Sequence, residues 1–280
     1  MKKESILIVG ASGTVGSEIS RILKAQGHSV RGTTSKKSRA SEKVFMDLTS
    51  GEGIKEGFEG IDRAFFLSPP GHADQYAMLS PLIQEAKRRG LKKVVLMTAM
   101  GANANEAAPF RRAEVELEKS GLAYNIIRPN WFLQNFNTFW VQGIREQAKI
   151  FLPAGTAKVS FIDARDVSAV AAVLLVDDSF NNQDFDLTGA EAVDHGQVAN
   201  KISDVSGRQV TYAEISPESF KAGLLGAGLP EDYSAFMVMI MGFLKEGYSA
   251  GVTENVQKIL GRKPMALAGY VQDFKTAFGA

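Results

Sequence analysis

SILIVGASGTVGSEISRILKAQG, residues 5–27, is the stretch on which the fold turns. SILIV (5–9) is a short apolar, β-rich run closed by Gly10, and Val15, Ile19, Ile22 and Leu23 then recur at helical spacing. Between the two, Gly10, Gly13 and Gly16 stand at G-x-x-G-x-x-G. In a strand–loop–helix unit the first glycine permits the tight turn, the second lets the backbone approach a pyrophosphate, and the third lets helix and strand pack closely. The helix N-terminus then holds the phosphate charge. A plain strand-to-helix turn is the competing reading, and the context on both sides of the loop favours the nucleotide.

The same beat repeats along the chain. HSVRGTT (28–34), KVFMD (43–47), DRAFFLS (62–68), KKVVLMT (92–98) and AYNIIRP (123–129) read as strands, with helices at about 74–89 and 109–120 and an amphipathic stretch at 161–175. Strands joined by crossover helices are parallel and buried on both faces, so they read as continuous apolar runs such as FFL and VVLM. The expected fold is α/β, a doubly wound parallel Rossmann sheet. Beyond about residue 190, helices separated by GR, SPE and GLPED turns, with one strand-like piece at 209–215, suggest a smaller, mostly helical C-terminal lobe. The expected division is 1–150 for dinucleotide binding, with 155–190 returning to it, and 190–280 as the substrate lobe. The segment around 130–160 is expected to visit the lobe as well.

Composition narrows the partners. Lys+Arg (32) and Asp+Glu (31) nearly cancel, so no global field draws the chain to nucleic acid or an anionic membrane. The absence of cysteine excludes disulfides, thiolate metal sites and cysteine nucleophiles, and His28, His72 and His195 are too dispersed to suggest a metal site. MKKES runs into the first strand without a leader-like apolar region, and no apolar run approaches membrane-spanning length. The expectation is a cytoplasmic protein with a small-molecule partner and no metal or flavin; a homodimer or a regulatory protein partner remains open.

The end of the second strand distinguishes the two nicotinamide dinucleotides. An acid there would bond the ribose 2′-hydroxyl and repel a 2′-phosphate, yet from Arg31 to Ser41 there is none. Thr34 and Ser35 can donate hydrogen bonds, and Lys36, Lys37 and Arg39 can pair with phosphate. NADP(H) is therefore favoured over NAD(H), against the alternative of an ordinary solvated basic loop. Asp47, ending the third strand, has two readings: an acceptor for an adenine amino group with Leu48 beside the ring, or a cap for the following turn.

GASGTVG, DL at 47–48, FFLSPP at 65–70, NIIRPNWFLQNF at 125–136, FIDARDVSAVAAVL at 161–174 and the late DLTG, SGRQVTY and LGRKP segments together resemble the NmrA-like branch of the atypical short-chain dehydrogenase/reductases. The likeness spans essentially the whole chain. It implies a Rossmann domain with a small C-terminal lobe and a nicotinamide dinucleotide at the sheet. Members include quinone, triphenylmethane and isoflavone-type reductases, and also regulators that bind the dinucleotide without turning it over. The resemblance implies Gly10, Ser12, Gly13, Thr14 and Val15 around the pyrophosphate, Ser35 and Lys36 at the 2′-phosphate, and Asp47 and Leu48 at the adenine. Leu67, Ser68 and Pro69 fall at the inner ribose, Thr98, Ala99 and Met100 on the nicotinamide side, and Arg128, Pro129, Asn130 and Phe132 beside its amide. An RP pair at a strand end is also a common stop signal.

In the wider superfamily the helix after the fifth strand carries Tyr-x-x-x-Lys, the lysine lowering the tyrosine pKa so that the phenol protonates the oxygen receiving hydride. APFRRAEVELEKSG (108–121) has Phe110 and Glu114 there instead. A positioned acid is worth ~10²–10⁴-fold, so its absence suits acceptors that are already good hydride sinks, such as quinones, conjugated cations or activated enones. Phe110 is expected to form an apolar wall. Glu114 is expected on the helix surface, stabilised by the dipole and by Arg111 or Arg112. Tyr76, His72 and Glu114 are the weak candidates for a proton donor, against ordinary structural or solvent-facing roles. Trp131, Phe132, Gln134, Asn135 and Phe136 are candidate substrate contacts, of which about half are expected to be core. FMVMIMGF (236–243), apolar all round, reads as a buried helix, with Met237 and Met241 as a further pocket wall. The leading expectation is an NADPH-dependent reductase of a quinone or similar conjugated apolar acceptor; the alternative is a non-catalytic NADP(H) sensor acting on a protein partner.

Overall fold

The computed structural model describes residues 3–37 and 43–279. In chain order the first elements are β1 (Ser5–Ile8), α1 (Thr14–Ala25), β2 (Ser29–Thr34), β3 (Val44–Phe45), α2 (Ile54–Gly57), β4 (Arg63–Leu67), α3 (Gln75–Arg89), β5 (Lys93–Met97), α4 (Pro109–Glu118) and β6 (Ala123–Pro129). They are followed by α5 (Val141–Gln147), β7 (Lys149–Leu152), α6 (Ala164–Val176), β8 (Gln183–Leu187), α7 (His195–Ser206), β9 (Thr211–Glu214), α8 (Pro217–Gly226), α9 (Glu231–Lys245), α10 (Asn255–Leu260) and α11 (Leu267–Asp273). No helix among the described residues is long and apolar enough to cross a membrane.

Two compact units emerge. The first comprises residues 1–70, 74–129 and 165–186, the second 71–73, 130–164 and 187–280. This differs from the expected cut at 150: residues 130–164 fall in the second unit because Leu133, Phe136, Ile144, Ile150, Leu152 and Phe161 belong to its core. The returning segment is correspondingly 165–186.

The first unit is built on a seven-stranded sheet in the order β3-β2-β1-β4-β5-β6-β8. The pairings from β3 through β6 are all parallel. The strands are short, with Leu7, Ala64, Phe66, Val94, Leu96 and Ile126 facing a core completed by α3 and α4. The alternate residues Ile6, Ile8, Phe65, Val95 and Ile127 are equally buried, as a sheet covered on both faces requires. Sequence-stretch expectations for these strands hold, trimmed at their ends; β7 and β8 were not foreseen. α3 shows how local chemistry sets limits: the Asp74 carboxylate accepts from the Ala77 N–H at the start, and Gly90, at φ 64°, ends the helix behind Lys87, Arg88 and Arg89.

The second unit pairs β7 with β9 in parallel and packs helices around Tyr270, Phe136, Ile150 and Leu152. α9 departs from the expectation of a buried helix. Only Ser234, Met241 and Leu244 are buried along it, while Met239 and Phe243 are each 50% exposed. An all-apolar sequence does not by itself say how many faces are covered.

Candidate active site at the strand carboxyl ends

From β1 the chain winds outward to β2 and β3 on one side, then to β4, β5 and β6 on the other, so the winding reverses between β1 and β4. In an open parallel sheet, ligands bind outside the carboxyl ends of the strands at such a switch point. Gly10–Gly16 follows β1 there, and Leu67–Pro69 closes β4. The two meet: Gly10 has φ +73°, and a Cβ on it would lie 3.1 Å from Leu67 Cδ1.

The loop's three glycines are not equivalent. A Cβ on Gly16 would stand 2.4 Å from the Gly10 carbonyl oxygen, so the fold itself demands glycine. A Cβ on Gly13 would meet only that oxygen at 3.5 Å, an ordinary contact, and Gly13 has φ −87°. Nothing among the described residues needs this position bare. It is also the N-cap of α1, no side chain caps that end, and the first turn carries no acid. Uncapped N–H groups on an unobstructed backbone form a cradle that fits the pyrophosphate of a dinucleotide.

At the end of β2, Ser35 and Lys36 are exposed, while Lys37 pairs with Glu52 at 2.6 Å and lies over the Phe45 ring. Arg39 lies outside the described residues. The sequence reading missed Lys43: its Nζ donates to Ser12 Oγ at 2.8 Å, placing a cation on the glycine loop itself. Parallel pairing of β2 with β3, Thr33 opposite Val44, is the signal that could have found it. Asp47 caps the turn that follows β3. Its carboxylate accepts from the Thr49 N–H at 2.9 Å and the Ser50 hydroxyl at 2.8 Å, and these bonds, the hydroxyl foremost, hold its pKa below the ordinary value. Leu48 packs against the core of the first unit.

The other strand ends bring Thr98, Ala99, Met100, Arg128 and Pro129 to the same edge of the sheet. Here Glu114 corrects the expectation of a surface carboxylate, for it is fully buried. Its Oε1 accepts from Thr98 Oγ1 at 2.6 Å and Arg128 Nε at 2.8 Å; its Oε2 accepts from Arg128 Nη2 at 2.9 Å and Arg111 Nη1 at 3.3 Å. Arg128 also bonds Asp184 and lies 3.6 Å from Asp186. Burial works against the Arg128 charge, and Glu114 outweighs it, so the guanidinium is held above its ordinary pKa. Burial raises the Asp186 carboxyl. The Thr98 hydroxyl is therefore committed to Glu114. Phe110 is partly buried against the core, and Tyr76 packs there too, its ring under the Arg112 guanidinium at 3.9 Å.

Of the remaining candidates, several lie in the second unit. Asn130 is a corner: its Nδ2 donates to Ser160 Oγ and the Ser249 carbonyl, both at 2.8 Å, so both amide hydrogens are engaged. Gln134 is buried, bonded to Asp163 Oδ1 at 2.9 Å, and Phe136 is core. Trp131, Phe132 and Asn135 are partly exposed, Trp131 lying 6.2 Å from the Trp140 ring. Met241 is 1% exposed and belongs to the core, with Met237 packed against it, which overturns Met241 as a pocket wall. His72 is partly exposed.

The NmrA-like family model matches residues 2–271. The chain belongs to that family. It is 32% identical to an NAD(P)H azoreductase of Xenophilus azovorans, over 98% of this chain and 99% of that protein. Among solved structures, the NADP(H) complex of the Citrobacter sp. triphenylmethane reductase matches with a TM-score of 0.81 at 20% identity, covering 96% of this chain and 99% of that one. An Escherichia coli NADPH-dependent quinone oxidoreductase bound to NADPH matches with a TM-score of 0.75 at 21% identity, over 96% and 99%. Both structures share the fold described above.

Proposed function

We infer that the chain is an NADPH-dependent reductase of quinones, azo compounds or similar conjugated, largely apolar acceptors. That it is an NAD(P)H-dependent oxidoreductase accords with its family and with the azoreductase relative. The dinucleotide, when bound, supplies the hydride. Gly10–Gly16 would hold its pyrophosphate, Ser12, Ser35, Lys36 and Lys43 its 2′-phosphate, Leu67–Pro69 its inner ribose, and the Ala99–Met100 and Pro129 segments its nicotinamide end.

One observation carries the choice of acceptor. At the two positions of the proton-donating pair stand a phenyl ring, Phe110, and a carboxylate, Glu114, whose oxygens already accept four hydrogen bonds. Phe110 has no proton to give, and Glu114 is held as an acceptor among donors. The acceptor must draw hydride without a strong acid beside it, and water completes its protonation. Quinones, cationic dyes and azo bonds meet that demand; an isolated ketone does not.

The test is NADPH oxidation followed optically against a benzoquinone, a triphenylmethane dye and an azo dye, with NADH run in parallel. Turnover of at least one, faster with NADPH, is expected. Tight NADPH binding with no oxidation by any acceptor would overturn the enzyme reading in favour of a dinucleotide sensor.

A further inference from the structure

We propose that Glu114 and Arg128 are positioning residues for the nicotinamide end of the dinucleotide, acting through the two strand ends that they tie together. The inference rests on the dinucleotide reading above and adds what sets the register of that end. Thr98 is the first residue beyond β5, Arg128 the penultimate residue of β6, and Glu114 lies midway along α4. The Glu114 carboxylate, 0% exposed, joins all three.

The backbone carries the same linkage further. β5 and β6 pair up to Met97 opposite Ile127. Beyond the last paired residues, Thr98 N donates to the Ile127 carbonyl at 3.0 Å and Met100 N to the Pro129 carbonyl at 3.1 Å. The segments 98–100 and 128–129 thus leave the sheet in step, and the ion pair sits at the root of both.

Stability alone is a poor account of this pair. Two charges taken out of water lose hydration that their attraction barely repays, and apolar residues of like volume would hold α4 on the sheet as well. An apolar contact cannot fix direction. A guanidinium meeting both oxygens of one carboxylate can, because its donors form a rigid plane. Arg128 bonds Oε1 through Nε and Oε2 through Nη2, and Thr98 shares Oε1, so the separation and orientation of the two segments are set together.

Calorimetric Kd values for NADPH and for 2′,5′-ADP, which lacks the nicotinamide half, test the assignment on the full chain. The double variant E114Q/R128M removes both charges, and T98V removes one bond. The expected result is that E114Q/R128M weakens NADPH by about tenfold or more while 2′,5′-ADP changes by less than about twofold. T98V shifts the same ratio by a smaller factor, and R128K, which keeps the charge without the planar donor pair, falls between. Equal weakening of both ligands, or no change in either, overturns the proposal; T98V decides it if the double variant does not fold. Wild-type protein that binds both ligands but reduces no acceptor overturns the reductase reading, leaving this inference to the ratio. Wild-type protein that binds neither overturns both.

Discussion

Glu114 in the first unit and His195 in the second are both fully buried, and their surroundings answer that burial in opposite ways. Four donors surround the carboxylate. The imidazole, at the first position of α7, is ringed by Phe136, Trp140, Phe161 and Tyr212 at 5.4–6.1 Å between centroids, and neither of its nitrogens has a hydrogen-bond partner among the described residues. Burial pushes its pKa down to about 4, against a small opposing pull from Asp194. A buried group keeps its charge where the chain supplies partners and gives it up where the chain supplies only hydrocarbon. One region is organised by charge, the other by its absence.

The comparison breaks most severely if one partner of the charged region is removed. Arg128→Met leaves the buried Glu114 with only the longer Arg111 ion pair, at 3.3 Å, and should cost about 3–5 kcal/mol in denaturant unfolding. E114Q/R128M should recover much of that. A single-variant loss below about 1 kcal/mol would mean that the pair is solvated in solution.

His195 gives the next largest effect. The unfolded imidazole binds a proton near 6.5, the folded one only near 4. Between those values the unfolded state holds more protons, so stability is complete above pH 6.5 and falls as pH drops towards 4, by roughly 3 kcal/mol in all. Urea midpoints measured from pH 7 to 4 should show the slope in wild type and a flatter one in His195→Phe. Identical slopes would remove the histidine from the explanation.

The glycine loop sharpens the contrast, because no side chain caps the N–H groups at the start of α1. Gly13→Ala should change stability by no more than about 1 kcal/mol, yet weaken NADPH about tenfold or more. Gly16→Ala, with its Cβ at 2.4 Å from a carbonyl oxygen, should lose stability and ligand together. Smallest of all, Phe110→Tyr should leave quinone turnover within about twofold, against the ~10²–10⁴-fold that a positioned acid contributes.

How much of this was legible depends on how locally it is encoded. The strand–glycine–helix unit at 5–27 and the apolar strands are each encoded in one short continuous stretch, and the parallel sheet follows from their alternation with helices. Glu114 was misplaced because dipole and neighbour arguments look along α4, whereas its principal partner, Arg128, comes from the next strand. Lys43 read as the start of a strand, and only pairing with β2 brings it to Ser12. The visit of the segment around 130–160 to the lobe was legible, whereas its limits, 130 and 164, and the start of the lobe at 187 are decided by long-range packing.

α9 carries one more consequence, in the currency of oxidation. Met239 is half exposed, whereas Met241, two residues further along the same helix, is 1% exposed. Peroxide converts accessible thioethers to sulfoxides first, so dilute peroxide should add one oxygen to Met239 while Met241 stays unmodified. Oxygen on Met241, told apart from Met237 and Met239 by fragmenting the same peptide, then becomes a mass-spectrometric clock for the opening of the second unit.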